Sequence, residues 1–392
     1  MRPLRIAVVA GEESGDLLAA DLVRALKSQS GRDIELVGVG GEHLAGLGLA
    51  SLFDPHRISI MGISAVLRDL PGLVTLIGRT ARAIVAAKPD CLITIDSPAF
   101  NLRVSKKVRS LDPKIPIVKY VCPSVWAWRP GRAPAMKAYV DHVLCILPFE
   151  PEVLARLGGP PGTYVGHRMT HDAGLVAAQQ AQMARRKATT ADARKTLLVL
   201  PGSRRAEVRG LAKPFGEVVR ILAERGNDLR VVLPVVPRVA VDVRAAIAGW
   251  PVSPEIVEGH DGKWHAFSEA DAALAASGTV LLELALAGVP AISCYKLDPV
   301  ANALQGLITT WSAALPNIIA DKAIIPEFYN VGVRPPMLSR YAEALLGPGP
   351  ARDAQLQGFD EVRRLMAVER PSGEIAAGVV MKVVEGSRAV GQ

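Results

Sequence analysis

Two short apolar strands, each followed at once by a glycine-containing turn, constrain the fold of this 392-residue chain most strongly. The first comprises Ile6–Val9 and precedes the turn Gly11–Asp16, and the second comprises Thr196–Leu200 and precedes Pro201–Arg204. Such a turn lets a ligand approach the backbone and presents the unpaired N–H groups of the next helix. A single nucleotide-binding domain carries its phosphate turn near its start, so a second turn halfway along the chain predicts two such domains with a cleft between them.

Short β-branched segments alternate with helical segments in both halves of the chain, which is the pattern of parallel sheets covered by helices. The sequence therefore predicts an α/β fold with two Rossmann-like, doubly wound domains. The predicted divisions are a first domain over 1–168, a linker over 169–195, a second domain over 196–335, and C-terminal helices over 336–392, which can pack back on the first domain.

Composition narrows the classes of protein that this chain can be. Hydrophobic residues make up 49% of it, which excludes extensive disorder, and the net charge is +8. The basic residues are scattered, with no dense Lys/Arg run and no nucleic-acid-binding module, so we expect no nucleic-acid partner. A solvated basic surface and an anionic partner, such as a membrane or a phosphorylated substrate, both fit this charge.

The cysteines predict neither a metal site nor a disulfide. Cys91, Cys122, Cys145 and Cys294 lie far apart, without a C-x-x-C motif or a paired histidine spacing. We expect them to be reduced thiols in the core of a cytoplasmic protein. The N-terminal residues enter a strand directly and lack the pattern of a secretory signal, and no segment predicts a transmembrane helix.

Asp96 follows the predicted strand at 91–95 and precedes Ser97-Pro98. Ligands of open parallel sheets bind at the carboxyl ends of the strands, so this carboxylate is placed to accept a proton from a substrate hydroxyl. The alternative is an aspartate that caps the following helix.

In the second half, Ser277-Gly278-Thr279 follows a predicted strand, and Glu283 is the lone charge of the apolar helix that comes next. The hydroxyls can cap this helix, whose N-terminus then faces the ligand cleft. A lone acid among leucines needs a polar partner, and the vicinal hydroxyls of a ribose would satisfy it. The alternative is a half-exposed glutamate at a domain edge.

The loop after the predicted strand at 116–121 contains Trp126, Trp128 and Arg129. Exposed aromatic side chains in such a loop line a ligand cleft, whereas buried ones anchor the loop, and the sequence leaves both roles open.

The first glycine turn is not a G-x-G-x-x-G motif and lacks a Walker lysine. Because Glu12 and Glu13 would repel a diphosphate, a contact with a sugar or a partner fits that turn better.

Together these segments closely resemble the lipid-A-disaccharide synthase family, glycosyltransferases of the GT-B type with two Rossmann-like domains. The resemblance extends over nearly the whole chain and rests on motifs in this order: Gly11–Asp16, Ile95–Asn101, Pro123–Arg129, Leu147–Glu150, Leu200–Arg204 with Glu207, Ser277–Glu283, Leu315–Asn317 and Ile325–Glu327. It implies inverting transfer of 2,3-diacylglucosamine from its UDP derivative to the 6-hydroxyl of 2,3-diacylglucosamine 1-phosphate, which yields the lipid A disaccharide and UDP. Two alternatives are another UDP-sugar enzyme of this fold, such as a UDP-N-acetylglucosamine 2-epimerase, and a non-catalytic protein that binds a nucleotide or lipid carrier.

The resemblance also implies roles for single residues: Asp96 as the general base, Arg204 on the diphosphate and Glu283 on the ribose. The full predicted substrate-binding set is Ser14, Gly15, Asp16, Asn101, Trp126, Arg129, Gly202, Ser203, Arg204, Glu207, Ser277, Gly278, Thr279, Glu283 and Asn317. The sequence contains no Asp-x-Asp motif. This favours transfer without a metal or cofactor, in which Arg204 and helix N-termini neutralise the leaving diphosphate.

Acylated substrates imply contact with a membrane. The segment Ile58–Ile77 is rich in Ile, Leu and Val and is flanked by Arg57, Arg68, Arg79 and Arg82. This pattern suits peripheral binding to the cytoplasmic face of an anionic inner membrane, and ordinary core helices are the alternative. Both a monomer and a homodimer are compatible with the sequence.

Overall fold

The computed structural model of this protein describes residues 2–59, 70–187, 194–296, 306 and 308–390. Contacts within the chain divide it into two compact units: unit 1 comprises Met1–Arg168 with Val368–Gln392, and unit 2 comprises Met169–Ala367. The elements of unit 1 are β1 Leu4–Ala10, α1 Glu13–Ser30, β2 Ile34–Val39, α2 Glu42–Ala45, α3 His56–Ser59, α4 Leu70–Ala86, β3 Cys91–Ile95, α5 Pro98–Leu111, β4 Ile117–Tyr120, α6 Arg132–Met136, β5 His142–Cys145, α7 Glu150–Arg156, β6 Gly162–Tyr164 and the C-terminal helix, α16 Ser372–Val390. The elements of unit 2 are α8 Ala173–Lys187, β7 Lys195–Leu200, α9 Arg205–Glu224, β8 Leu229–Val235, α10 Ala240–Ile247, β9 Glu255–Glu258, α11 Gly259–Glu269, β10 Ala272–Ala276, α12 Thr279–Ala287, β11 Ala291–Tyr295, α13 Leu315–Ala320, β12 Glu327–Tyr329, α14 Pro335–Leu346 and α15 Pro350–Met366.

Each unit is built around a sheet that has six strands among the described residues. The strand orders are β2-β1-β3-β4-β5-β6 and β12-β11-β10-β7-β8-β9, and the strands pair in parallel. The chain direction across the sheet reverses between β1 and β3 in unit 1 and between β7 and β10 in unit 2. The predicted α/β fold with two doubly wound sheets is confirmed, and each reversal opens a crevice of the kind in which such sheets bind ligands.

The central strands are buried on both faces, as parallel strands covered by helices must be. Every residue of β3 and of β10 is buried. The predicted strands coincide with ten observed strands to within two residues at either end. The sequence pattern missed β6 and β12 because each has three residues, is only half-buried or exposed, and lies at a sheet edge, which is too short for any periodicity to show.

The prediction of a linker over 169–195 is wrong for the segment that forms α8, because this helix packs on α11 and α12 inside unit 2. Gln182 is buried, and its Nε2 donates to the carbonyl oxygens of Phe267 at 2.7 Å and Ala270 at 2.8 Å. The glutamines made this segment look solvated, but here one of them satisfies the C-terminal carbonyls of α11. Residues 188–193 of the predicted linker lie outside the described residues.

The C-terminal helices divide between the units, which corrects the predicted boundary at 335/336. Helices α14 and α15 belong to unit 2, where α14 packs on α9 and α15 packs on α12 and α13. Helix α16 belongs to unit 1 and packs on α1, with Ala376, Ala377, Val380 and Val384 in the same apolar cluster as Leu22. The apolar face of α16 explains its placement, since burying this face against α1 removes it from water.

The apolar segment Ile58–Ile77 is only partly described, because residues 60–69 fall outside the described ranges. Of its described side chains, Ile58, Leu73, Leu76 and Ile77 are buried in the core of unit 1, as expected of ordinary core helices. Val74 is 63% exposed. The described part of the chain contains no helix with the length and apolarity that crossing a membrane requires.

Candidate functional site

A pocket of about 620 Å³ lies at the carboxyl edge of the unit 2 sheet. Its walls come from the carboxyl ends of four neighbouring strands and the segments that follow them: Gly202-Ser203-Arg204 after β7, Pro234–Pro237 at the end of β8 and just beyond it, Gly259 and His260 after β9, and Ser277–Val280 after β10. The volume is typical of a small-molecule site, and the location is the crevice expected from the strand order.

Three helices begin at the wall of this pocket. They are α9, which follows Arg204, α11, which starts at Gly259, and α12, which follows Gly278. The first N–H groups of a helix have no partner within the helix, and its dipole makes this end positive. Three such ends around one cavity favour an anionic ligand.

The turn at Gly202 holds its shape through Glu207. Gly202 has φ +117°, and a Cβ atom there would overlap with the side chain of Glu207. The Glu207 carboxylate accepts the backbone N–H groups of Ser203 at 2.9 Å and Arg204 at 3.1 Å. Glu207 is therefore a positioning residue for the turn and also lines the pocket, and the substrate contact predicted for it stays a prediction.

Arg204 lies at the pocket with its side chain 74% exposed. One guanidinium nitrogen is 2.9 Å from the second carboxylate oxygen of Glu207, and the rest of the fork faces solvent. A guanidinium held at one corner in this way keeps free donors for a phosphate.

Glu283 projects from α12 into the pocket and pairs with Lys263 of α11, with 2.9 Å between Nζ and Oε1. Lys263 also lies 4.0 Å from the centroid of the Trp264 ring. Lys263 is thus a polar partner of Glu283 that the sequence did not predict, and the predicted contact with a ribose stays a prediction. The pattern of the sequence missed Lys263 and His260 because it predicted that α11 begins at 264, whereas the helix begins at Gly259, whose φ of +82° turns the chain directly after β9.

In unit 1, Asp96 lies in the turn between β3 and α5, at the sheet's point of reversal. Asp96 and Ser97 have φ values of +49° and +40°, a left-handed pair that non-glycine residues adopt at a cost. The buried amide of Asn101 donates to the carbonyl oxygens of Ile95 at 2.8 Å and Asp96 at 2.9 Å. Asn101 therefore fixes this turn as a positioning residue, and the substrate contact predicted for it stays a prediction.

Lys119 lies beneath the same turn and was not predicted. It is fully buried in β4, and its ammonium donates to the backbone carbonyls of Asp96 and Thr94. Burial lowers the pKa of Lys119 to about 8, against a smaller opposing effect of the Asp96 charge. The signal in the sequence was a lysine inside an otherwise apolar strand, Ile117–Tyr120.

The first glycine turn serves unit 1 structurally. Ser14 is exposed near the start of α1, whereas Gly15 and Asp16 are buried. The Asp16 carboxylate accepts the backbone N–H groups of Gly41 at 2.7 Å and His43 at 2.8 Å, which caps α2. Asp16 thus holds a neighbouring loop, and the substrate contact that the sequence predicts for it stays a prediction.

Trp126 and Arg129 differ in their surroundings. Trp126 is half-buried, with its ring centroid 5.3 Å from that of Phe149 and its Nε1 donating to Glu150 at 3.3 Å. It is a loop anchor, one of the two roles that the sequence left open. Arg129 is exposed, and its guanidinium carbon lies 4.1 Å from the centroid of the Trp128 ring.

Asn317 is buried in unit 2, and its amide is satisfied locally. Its Nδ2 donates to the carbonyl of Ile325 at 2.9 Å, and its Oδ1 accepts the N–H groups of Ile324 at 3.0 Å and Ile325 at 2.8 Å. It does not line the pocket described above. The structure therefore gives Asn317 a positioning role, and the substrate contact predicted for it stays a prediction.

A buried cluster joins Cys122, Cys145 and Glu150, whose ligand-type atoms lie within 4.8 Å of one another. The Glu150 carboxylate accepts the N–H groups of Ile146 and Leu147, each at 3.1 Å, besides that of Trp126. Burial raises the pKa of Glu150 to about 7. Because both oxygens already accept hydrogen bonds, this carboxylate closes the loop after β5. All four cysteines of the chain are buried free thiols, as predicted.

The family model described as lipid-A-disaccharide synthetase matches residues 6–347. The lipid-A-disaccharide synthase of Rhodopseudomonas palustris strain HaA2 is 47% identical, over 97% of this chain and 96% of the relative. The lipid-A-disaccharide synthase of Nitrobacter winogradskyi is 45% identical, over 98% and 97% respectively. This chain belongs to the lipid-A-disaccharide synthetase family.

Solved structures that resemble this lipid-A-disaccharide synthetase family member share its fold. A glycosyltransferase of kitacinnamycin superposes with a TM-score of 0.63 at 16% identity, covering 98% of this chain and all of that one. The Staphylococcus aureus MnaA–UDP structure superposes with a TM-score of 0.60 at 13% identity, covering 97% and 96%. The Acinetobacter baumannii MurG structure gives 0.59 at 14%, covering 97% and 100%. The predicted GT-B type of fold is confirmed.

Proposed function

We propose that this chain transfers 2,3-diacylglucosamine from its UDP derivative to the 6-hydroxyl of 2,3-diacylglucosamine 1-phosphate, with inversion at the anomeric carbon. The products are the lipid A disaccharide 1-phosphate and UDP. The observation that carries the proposal is the unit 2 pocket, where Arg204 and three helix N-termini meet in a member of this family. A nucleoside diphosphate needs that charge, and sugar transfer needs it most as the diphosphate departs.

In this proposal, the diphosphate of the donor occupies the pocket beside the Gly202 turn. Arg204 exchanges part of its pairing with Glu207 for two hydrogen bonds to a phosphate. The free oxygen of Glu283 accepts the ribose hydroxyls while Lys263 holds the other one. Helix N-termini and Arg204 supply the positive charge that a metal would otherwise bring, so transfer proceeds without one.

Asp96 is the proposed general base in unit 1. Its turn is fixed from below by Asn101 and Lys119. A base that is held in place removes the proton of the acceptor hydroxyl as that oxygen attacks the anomeric carbon. A single direct displacement of this kind inverts the anomeric centre.

The test is incubation of the full chain with the UDP-sugar and the acceptor, with and without a chelator, while UDP and disaccharide are quantified. We expect equal yields of both products in either condition. Asp96→Asn should reduce kcat by about two to four orders of magnitude and leave UDP affinity unchanged. Turnover that survives this substitution would remove Asp96 from its role, and epimerised donor in place of disaccharide would refute the transferase proposal.

We further propose peripheral contact with the cytoplasmic face of an anionic inner membrane. The acyl chains of both proposed substrates reside in a bilayer, and Arg79 and Arg82 lie exposed on α4 near Val74. Basic side chains beside exposed apolar ones suit such a surface. Co-sedimentation with anionic vesicles that weakens in the variant Arg79→Gln/Arg82→Gln and with added salt would support it, and unchanged co-sedimentation would contradict it.

A further inference from the structure

Two arginines lie against one indole ring in unit 1, and a third, on α5, is close enough for its charge to act on one of them. The guanidinium carbon of Arg129 lies 4.1 Å from the centroid of the Trp128 ring, and that of Arg132 lies 5.2 Å from it. Arg103 of α5 joins them, since the charges of Arg129 and Arg103 both lower the pKa of Arg132, in addition to the larger effect of its own burial. Like charges so close together repel one another.

Within the described part of the chain, no carboxylate lies within ion-pair distance of these three side chains. By contrast, two arginines at other places in unit 1 are paired with an acid: Arg5 lies 2.6 Å from Glu35, and Arg109 pairs with Asp141. Arg103 donates to the backbone carbonyl of Ala99, which is neutral. A cluster of three cations with an aromatic ring and no acid is therefore incomplete without an anion from outside the chain.

The cluster lies at the same edge of the sheet as Asp96. Ala99, which Arg103 reaches, is in the first turn of α5, three residues after Asp96. Arg129 and Arg132 follow β4, which pairs in parallel with β3 so that Tyr120 lies beside Ile95. The anion site and the proposed base are thus on neighbouring loops of one unit.

We propose that Arg103, Arg129 and Arg132 bind the phosphate monoester of the sugar acceptor. This rests on the proposed function, which gives the acceptor a phosphate on the same sugar ring as the attacking hydroxyl. A phosphate monoester is a dianion with three equivalent oxygens, and guanidinium forks match such a group. Trp128 lies within cation–π distance of both Arg129 and Arg132, a contact that uses the ring face and no N–H donor of the arginines.

Steady-state kinetics of Arg103→Gln, Arg129→Gln and Arg132→Gln test the proposal in the full-length protein. We expect each variant to raise the KM for the acceptor about ten- to a hundredfold, the effect of one lost charge-assisted contact, and to change the KM for the UDP-sugar by less than about twofold. Arg156→Gln is the matched control, because Arg156 is an exposed arginine of α7 in the same unit. Its kinetics should equal those of the wild type.

A dephosphorylated acceptor separates binding from structure. For 2,3-diacylglucosamine without the phosphate, the three variants should be no worse than the wild type, because the lost interaction is already absent. Equal losses with both acceptors would overturn the proposal and make the arginines structural.

Direct binding keeps the proposal testable if the wild type forms no disaccharide. In calorimetry, glucosamine 1-phosphate should bind to the wild type and glucosamine should not. The arginine variants should no longer bind glucosamine 1-phosphate. Unchanged binding would overturn the site. Binding that is lost in the variants of an inactive wild type would refute the proposed function alone.

The headgroup of phosphatidic acid is also a phosphate monoester, so a second experiment must distinguish a lipid surface from the sugar acceptor. Anionic vesicles that contain phosphatidic acid should sediment equally with wild type and variants. Variants that lose vesicle binding but keep the acceptor KM in detergent micelles would show that the cluster binds a bilayer, which overturns the assignment to the acceptor.

Discussion

Lys119 shows at the scale of one residue how burial gives a side chain a measurable pH dependence. The ammonium lies under the Asp96 turn, fully buried, and its pKa falls from 10.5 to about 8 because burial penalises the charge. A folded-state pKa below the unfolded one means that the native chain binds the proton less readily. The stabilising contribution of Lys119 is therefore present above about pH 10.5 and is lost as the pH falls through about 8.

We expect the stability of the wild type relative to Lys119→Met to rise as the pH increases from about 7 to about 10. Urea denaturation at several pH values measures this difference in the free energy of unfolding, in which shifts common to both proteins cancel. Lys137→Met, at an exposed lysine of the same unit, is the control and should show no such slope. A difference that is independent of pH for Lys119→Met would show that the lysine is not buried as a titrating group.

Gly202 is a second residue with a sharp requirement, since it combines φ +117° with contact to Glu207. Gly202→Ala should weaken UDP binding at least about tenfold, because the new Cβ displaces the carboxylate that holds the backbone of Ser203 and Arg204. Calorimetric titration with UDP measures the loss.

Gly210→Ala is the matched control. Gly210 lies within α9, and a Cβ atom there would be 3.5 Å from the Lys296 side chain, an ordinary van der Waals distance. It should leave UDP affinity intact and raise the free energy of unfolding by up to about 1 kcal/mol, since alanine suits a helix interior better. Equal affinities of the two variants would mean that the shape of the Gly202 turn is not needed for binding.

At the scale of elements, the N-terminal ends of helices α9, α11 and α12 line the unit 2 pocket, and the proposed function assigns different parts of the donor nucleotide to their side chains. Arg204 precedes α9 and Glu283 lies in the second turn of α12. If Arg204 contacts the diphosphate and Glu283 contacts the ribose, comparing the binding of UDP and of uridine distinguishes the two contacts. Binding of UDP and of uridine is measured for each variant.

Arg204→Gln should weaken UDP binding about tenfold or more and leave uridine binding unchanged. Glu283→Gln should weaken both ligands by a similar factor, because both contain the ribose. Lys263→Met/Glu283→Gln serves as the control that also removes the unpaired lysine. Loss of uridine binding in Arg204→Gln would contradict the assignment of Arg204 to the phosphates.

At the scale of the whole molecule, the last helix of the chain completes the first unit. Ala376 is fully buried among the residues that α16 contributes to the core of unit 1. Ala376→Asp should destabilise unit 1 by on the order of 3 kcal/mol, because it buries a charge without a partner. UDP affinity should not change, since the pocket lies in unit 2.

Gly386→Asp is the control on the same helix, because Gly386 is exposed and a Cβ there meets nothing within 4 Å. Thermal unfolding with and without UDP measures both effects, and UDP should stabilise unit 2 by mass action in every variant. A drop in UDP affinity for Ala376→Asp, or no loss of stability, would contradict the independence of the two units.

The sequence alone determined the α/β class, the two doubly wound sheets and the motifs of the family, because apolar strands and glycine turns are local patterns. It also located Asp96, Arg204 and Glu283 correctly at carboxyl ends of strands or at helix starts beside them. The local sequence does not show which groups a polar side chain takes as its hydrogen-bond partners. Only the tertiary structure decided that Asp16 binds backbone N–H groups of a separate loop and that Asn101 and Asn317 bind backbone groups of their adjoining turns.

The tertiary structure also decided which groups share a site across the sheet order. In unit 1, Lys119 meets the Asp96 turn from the neighbouring strand, and in unit 2, Lys263 meets Glu283 from another helix. In neither pair does the sequence spacing show that the two groups meet. Likewise, contacts with residues far away in the chain assign α8 and α16 to their units. Gln182 of α8 donates to the carbonyl of Ala270, and α16 buries its apolar face in the core of unit 1. Sequence sets which elements form, whereas packing sets which of their side chains meet, because burial and hydrogen bonding depend on neighbours that the local pattern does not contain.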